Sequence, residues 1–177
     1  MTMGPKCECG GNYRRVELPT YDFSGFAGLP VELRGAPGLR CDACGGVALA
    51  GEIISAALLL LTQQILGLQR VLSPDEAKFL RKRLQLSQKA LAERMHIQRE
   101  TVAAWECGQK PLSPQHDYIL RGLHFGAQLP AGVAPFPRDL MEEALGRVHV
   151  ADKTPPKEGP FIIAAELNRV SKAAIHA

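Results

Sequence analysis

Four of the five cysteines stand in two tight pairs, Cys7-Glu8-Cys9 and Cys41-Asp42-Ala43-Cys44, and two glycines follow each pair. Two thiolates on a tight turn can ligate one metal ion, and glycine permits the positive φ that such a turn requires. Two such turns together provide four sulfur ligands, the donor set of a tetrahedral structural zinc site. Closing the chain between the pairs would stabilise a domain too small to build a large core.

The first pair is C-x-C, one residue shorter than the usual C-x-x-C spacing. Both sulfurs could chelate one ion with a strained bite, only one could bind, or the site could have decayed to a metal-free ribbon. We expect Zn2+, with the ligands Cys7, Cys9, Cys41 and Cys44. The odd cysteine, Cys107, is expected to be a free thiol. Clustered cysteines suit metal binding in a reducing compartment better than a disulfide framework, so we expect a cytoplasmic protein.

A second pattern that points to function lies in residues 86–108. Ser87 is a good N-cap for a short amphipathic helix, and a second helical pattern turns Val102 and Trp105 inward. A connector of four residues, 95–98, separates the two patterns. Helices joined by so tight a turn cross at a steep angle, as in the helix-turn-helix unit that places its second helix in the DNA major groove.

Two sequence words carry a resemblance. L-S-Q-x-x-L-A-x-x-M begins at Leu86, T-V-x-x-W-E-x-G begins at Thr101, and both resemble the Xre family of Cro and lambda-repressor type. The resemblance implies a five-helix, lambda-repressor-like domain that binds double-stranded DNA as a homodimer. A palindromic operator with half-sites about 34 Å apart would follow. It also implies that Arg81 pairs with Glu106 of the W-E-x-G word and thereby stabilises the domain.

The resemblance also assigns the phosphate contacts. Gln88 matches the family position whose amide contacts a phosphate at a helix N-terminus, and Lys89 and Lys110 are expected to flank it. The charge distribution agrees, since residues 70–126 hold ten Lys and Arg against six Asp and Glu. In the segment before residue 51, and again in the segment after residue 126, the number of Lys and Arg equals the number of Asp and Glu. The basic excess thus lies where phosphate binding needs it.

On the second helix of the unit, the family's base-facing positions fall on Arg99, Glu100 and Ala104, with Gln98 and Thr101 beside them. Arg99 can donate two hydrogen bonds to guanine, Glu100 can accept from a cytosine amine, and Ala104 can offer a methyl contact to thymine. The MqsA-type antitoxins, which this chain resembles in its cysteine pairs and helix-turn-helix, carry polar or basic side chains at the positions of Glu100 and Ala104. A different operator sequence is therefore expected.

The order of motifs carries a further resemblance. A cysteine pair, a G-L-P-x-x-L stretch at 28–33, C-x-x-C-G and then the helix-turn-helix resemble, over residues 7–124, the YgiT-type zinc-finger proteins, which include the MqsA-type antitoxins. This implies a structural zinc domain that in antitoxins masks a ribonuclease toxin, and a DNA-binding domain that dimerises and represses its own operon. Three hypotheses follow: a transcriptional repressor, an antitoxin that acts mainly by masking a toxin, and a redox- or zinc-sensing regulator.

The 177 residues have room for more than one small domain. We expect a mainly α protein with a small β-rich zinc-knuckle domain in 1–50, a linker helix in 51–70, the helix-turn-helix domain in 71–126 and an extension in 127–177 that serves dimerisation or docking. In the first domain, strands are predicted at 13–18 and 29–33, with turns around 24–25 and 35–38. In the extension, 138–148 predicts an amphipathic helix, and the apolar segment after Pro160 fits helix or strand.

The start of the DNA-binding domain has a clear local signal. Ser73, Pro74 and Glu76 form the pattern of a capping box with proline at the first helical position, and Ser113-Pro114 repeats the Ser-Pro start. No histidine shares a catalytic spacing with Asp, Ser or Cys, so we do not expect an enzyme. The apolar stretch 47–68 is interrupted by polar residues, so no membrane span is expected.

Overall fold

The computed structural model describes residues 6–127 and 159–164, which fall into two compact units, residues 6–61 with 159–164 and residues 62–127. The elements in chain order are β1 (Tyr13–Asp22), α1 (Ser24–Ala27), β2 (Val31–Cys41), β3 (Val47–Ala48), α2 (Gly51–Leu66), α3 (Pro74–Arg83), α4 (Gln88–Met95), α5 (Arg99–Glu106), α6 (Pro114–Ala127) and β4 (Phe161–Ala164). The six helices and the small sheet formed by these described residues agree with the expected mainly α class.

The first unit is built on a sheet in which β2 is central. β1 pairs antiparallel with β2, from Tyr13 opposite Cys41 to Asp22 opposite Glu32. On its other side β2 pairs with β3 at one end and with β4 at the other. Because β1 starts just after the first cysteine pair and β2 ends at Cys41, this register brings the two cysteine pairs to the same end of the sheet.

The turn expected at 35–38 is wrong, since these residues lie inside β2. Gly35 takes a φ of 63°, and the regular pairing with β1 is interrupted there, opposite Pro19. Before Gly35 the buried residues are Val31 and Leu33, whereas directly after it they are Ala36 and Gly38, with Cys41 buried at the end of the strand. The positive φ at Gly35 therefore changes which alternate residues of β2 point to the core, so that the strand stays packed on the core on both sides of the glycine. Glycine marks a change of face here, not a chain reversal.

The apolar segment after Pro160 forms a strand. β4 lies parallel to β2, with Phe161 opposite Val31, and the Phe161 N–H donates to the Pro30 carbonyl at 3.0 Å. Ile163 is buried and belongs to the core of the first unit. The amphipathic helix expected at 138–148 lies outside the described residues. Part of the C-terminal extension thus completes the N-terminal sheet.

The second unit packs α3, α4, α5 and α6 around a buried apolar core. The capping box at the start of α3 is confirmed: the Ser73 hydroxyl accepts from the Glu76 N–H, and the Glu76 carboxylate accepts from the Ser73 N–H at 2.7 Å. The Ser113 hydroxyl accepts the His116 N–H at the start of α6. Within the described residues of this unit, four complete helices accompany the last turn of α2, so the expected count of five is not confirmed.

The linker helix expected at 51–70 is α2, which ends earlier, at Leu66. Of the helices in the described ranges, none has the length and apolar character needed to cross a membrane.

Candidate functional site

The four paired cysteines come together at one end of the sheet. Their sulfur atoms all lie within 4.8 Å of one another, with Cys7 and Cys44 3.7 Å apart and Cys9 and Cys41 3.5 Å apart. Four sulfurs bound tetrahedrally at about 2.3 Å from one ion would be separated by about 3.8 Å. Both members of the short first pair are therefore at ligand distance, and the cluster could hold a metal ion.

The two loops that carry the cysteines have related backbone geometry. The Gly10 N–H donates to the Cys7 carbonyl at 2.8 Å, and the Gly45 N–H donates to the Cys41 carbonyl at 3.1 Å. Gly10 and Gly45 have φ values of 88° and 71°, a region that other residues rarely adopt. The second loop also directs the N–H of the next residue, Gly46, at the Cys44 sulfur, 3.4 Å away. Such an N–H stabilises a metal-bound thiolate.

The packing around the Cys41 sulfur leaves no room for a side chain at Gly11. A Cβ on Gly11 would lie 2.6 Å from the Cys41 sulfur, closer than real Cβ atoms approach. The two loops are also joined directly, because the Asn12 N–H donates to the Asp42 carboxylate at 2.9 Å and the Asp42 N–H donates to the Asn12 carbonyl at 3.0 Å. The backbone thus holds the four sulfurs together.

The electrostatics of the cluster fit a site that takes a cation. A hydrogen bond from the Cys9 backbone lowers the pKa of Cys7 to about 6. The Gly11 backbone lowers the pKa of Cys9, but the surrounding sulfurs outweigh it and raise that pKa to about 12. The Cys7 thiol likewise raises the pKa of Tyr13 to about 12. Several negative sulfurs so close together repel one another, and a bound cation would relieve this repulsion.

The helix-turn-helix is formed by α4, a turn and α5. The connector is one residue shorter than expected, because Met95 is the buried last residue of α4. His96 closes that helix with a φ of 55° in the left-handed region, and residues 97–98 lead into α5. Val102 and Trp105 are buried, which confirms the inner side predicted for α5.

Arg81, on α3, joins the end of α5 to the segment just before α4. Its Nε and Nη2 donate to the two Glu106 carboxylate oxygens at 2.5 and 2.9 Å, and its Nη1 donates to the Leu86 carbonyl at 2.7 Å. The expected Arg81–Glu106 pair is confirmed. Burial alone would raise the pKa of Glu106, but Arg81 and Gln88 lower it below its usual value. The carboxylate is therefore charged in the folded protein at neutral pH.

The residues expected to contact DNA occupy the following positions. Gln98, Arg99 and Glu100 are exposed, and so are Lys89 and Lys110. The other three are partly buried: Gln88, Thr101 and Ala104. All eight come from α4, α5 and the segments next to α5, but their contacts with DNA stay predictions.

Gln88 has a partner that the sequence did not predict. Its amide Nε2 donates to Glu106 at 2.8 Å, next to Arg81. Since a side-chain amide carries two N–H groups, a phosphate contact through the second one is compatible with this bond.

The sequence did not single out two histidines and one ion pair of the second unit. His116 packs against Trp105, with ring centroids 4.9 Å apart, and His124 is buried, with Nε2 2.8 Å from the Leu80 carbonyl oxygen. Asp117 and Arg121 form a buried ion pair on α6. Their spacing of four residues on a helix was the only signal for that pair in the sequence.

Comparison with known families agrees with this geometry. Residues 78–116 match the family model described as Helix-turn-helix, which covers most of α3, all of α4 and α5, and the start of α6. Searches of curated proteins and of solved structures gave no match. Residues 78–116 are thus an Xre-type helix-turn-helix domain, and the same chain carries a four-cysteine cluster that could hold a metal ion.

Proposed function

We propose that the protein is a dimeric, sequence-specific DNA-binding transcriptional repressor whose cysteine cluster holds a structural zinc ion. The proposal rests mainly on α5. Its buried residues Val102 and Trp105 fix the helix on the domain core, while Arg99 and Glu100 in its first turn are exposed. A recognition helix reads base edges with its N-terminal residues, and these two side chains have the donors and acceptors to do so.

Two exposed lysines near α5 also support DNA binding. Lys89 and Lys110 are exposed on either side of α5 in the sequence, and neither is buried by the domain. Cationic side chains next to a recognition helix bind phosphates and set its register on the duplex without reading sequence. Gln88, fixed on Glu106, would supply an oriented amide at the start of α4.

Zinc is the metal we propose for Cys7, Cys9, Cys41 and Cys44. Thiolates are soft ligands, and a tetrahedral set of four is typical of structural zinc. Four protein sulfurs would also occupy every position of such an ion, with none open for a substrate. The ion would hold the two cysteine loops together and so stabilise the first unit.

The test of DNA recognition is selection of binding sites from random duplexes, followed by titration of the best site. We expect a palindromic site. Arg99→Ala should weaken the binding free energy for this site by about 1–3 kcal/mol and relax specificity at one base pair. Lys110→Ala is the matched control, since loss of a phosphate contact should weaken all sequences alike and lower the salt dependence. If no site is selected, the proposal fails, and if Arg99→Ala binds unchanged, the assigned register of α5 is wrong.

A second candidate is an antitoxin that masks a ribonuclease toxin. The order of the cysteine pairs, the G-L-P-x-x-L stretch at 28–33 and the helix-turn-helix supports it. Co-purification of the untagged protein with mass spectrometry and metal analysis separates the candidates. A small ribonuclease recovered in fixed stoichiometry favours the antitoxin, whereas zinc-loaded protein without a protein partner favours the repressor.

A third candidate is a regulator that senses redox state or zinc through the short first pair. Cys9 and Cys44 are exposed, so oxidants and chelators can reach the cluster. DNA binding would be measured before and after treatment with peroxide and with a chelator. Binding that neither treatment changes eliminates this candidate.

A further inference from the structure

The outer edge of β1 is open in the described part of the chain. This strand spans Tyr13–Asp22, and β2 is its only strand partner among those residues. An isolated bridge between Lys6 and Asn12 lies on this edge just before the strand begins. Ten residues make a long edge, since a typical strand has about five or six. An open edge presents a row of unpaired N–H and C=O groups to which another strand can be added.

Backbone N–H and C=O groups of β1 point alternately toward β2 and away from it. This alternation determines which residues have unpaired groups on the outer edge. At the start of the ladder, the Asp42 N–H donates to the Asn12 carbonyl. Because the direction alternates along a strand, the even residues up to Leu18 point their backbone groups at β2. Arg15 and Glu17 therefore point theirs outward, and so does Tyr13, which lies beside the bridge between Lys6 and Asn12 at the start of this edge. Pro19 has no N–H, so it interrupts the donor row.

We propose that β1 pairs antiparallel with β1 of a second copy of this chain, about a two-fold axis at Val16. Outward residues must face outward residues, so only odd positions can form the hydrogen-bonded pairs. With the axis at Val16, Arg15 of each copy lies opposite Glu17 of the other. An axis one residue earlier would set Arg15 against itself, and one residue later would set Glu17 against itself. Opposite charges directly across a ladder stabilise it, and like charges destabilise it.

The two charged residues are available for this pairing. Arg15 and Glu17 are exposed and make no ion pair with any residue that the structure describes, whereas Arg34 on β2 is paired with Glu32 at 2.6 Å. Charges on an edge strand normally prevent pairing with identical strands. Here their signs alternate about Val16, so the symmetric copy is matched instead of repelled. Val16 would meet its own copy at the axis, where side chains are closest.

This interface rests on the dimer of the proposed function and places a contact between the two copies in the first unit, whereas the family resemblance implies one within the DNA-binding domain. Strand pairing over residues 14–18 is modest, and two isolated strands are only marginally stable in water. A reversible, concentration-dependent dimer is therefore expected. Because it does not require DNA, its failure can be told apart from a failure of DNA binding.

The test is sedimentation equilibrium of the full-length protein without DNA, over a range of concentrations. The wild type should dimerise. Glu17→Arg and Arg15→Glu should each raise the dimer dissociation constant about tenfold or more, because each turns two attractive cross-strand pairs into two repulsive ones. The double variant carrying both changes restores opposite charges and should dimerise like the wild type.

Thr20→Arg is the matched control, since it adds a charge to the same strand beyond Pro19 and should leave the dimer unchanged. Thermal melts of every variant confirm that the domain is folded. A wild type that stays monomeric overturns the proposal. So does a dimer that single charge reversals leave intact, or that the double variant does not restore.

Discussion

Arg121 and Asp117 form a buried ion pair one turn apart on α6, with Nε 3.0 Å from Oδ2. The same guanidinium donates to four backbone carbonyls at the end of α2 and just after it, those of Ile65, Leu66, Leu68 and Arg70. Carbonyls at a helix end have no partner within the helix, and arginine has enough donors to serve several of them. The Arg121 side chain thus connects α6 to the end of α2 and to the segment that follows α2.

Arg121→Met should destabilise the protein by about 3–5 kcal/mol, because it leaves the Asp117 charge buried without its partner. The variant also leaves the carbonyls after α2 unpaired. Denaturation in urea measures the change. Arg94→Met, at an exposed position on α4, is the control and should stay within about 0.5 kcal/mol of the wild type.

Lysine cannot replace this arginine, because it has three donors at one point in place of a planar fork of five. Arg121→Lys should therefore recover only part of the lost stability. Equal stability of the wild type and Arg121→Met would show that the tie between α6 and α2 contributes nothing.

Arg81→Ala should likewise destabilise the protein, by about 3 kcal/mol, because Glu106 would keep its charge in a largely buried position. The carbonyl of Leu86 would also lose its donor. Arg83→Ala, at an exposed position on the same helix, is the matched control for helix propensity. If the two variants unfold at the same urea concentration, the Arg81–Glu106 pair has no role in stability.

Stability should also fall on mild acidification because of His124. Burial lowers the pKa of this histidine below its usual value of 6.5. The unfolded chain therefore takes up a proton at a higher pH than the folded one, so the contribution to stability is full above about 6.5 and is lost as the pH falls below it. His124→Gln keeps a donor for the Leu80 carbonyl but cannot titrate.

The measurement is the free energy of unfolding at pH 7.5 and pH 5.5. The wild type should lose more stability between the two than His124→Gln does. His96→Gln, at an exposed position, is the control and should behave like the wild type. An identical pH dependence for the wild type and His124→Gln would refute the assignment.

The purified protein should contain about one zinc ion per chain, measured by mass spectrometry of the metal. Cys9→Ser should lower both the zinc content and the melting temperature, because all four sulfurs lie at ligand distance. Cys107→Ser removes a thiol outside the cluster and should change neither. Full zinc content in Cys9→Ser would mean that only one cysteine of the short pair binds.

The sequence alone identified the local features correctly. The capping box at Ser73 and Glu76 depends on residues three apart, so its residue types are enough to predict it. The two helices of the DNA-binding unit followed from motifs at fixed spacing, and the Arg81–Glu106 pair followed from the family resemblance that these motifs carry. Both cysteine pairs could be named as one site because thiols grouped on glycine turns have few other uses.

The tertiary structure decided what depends on distant partners. The G-A-P-G run at 35–38 resembles a turn locally, but pairing with β1 and burial of its residues keep it in a strand. Phe161–Ala164 is a strand because β2 has a free edge there, and no local pattern distinguishes this from a helix. From the sequence Arg121 would be expected on the surface, but the segment after α2 packs against it and buries it. In each case the deciding partner lies far away in sequence, and its burial outweighs the local propensity.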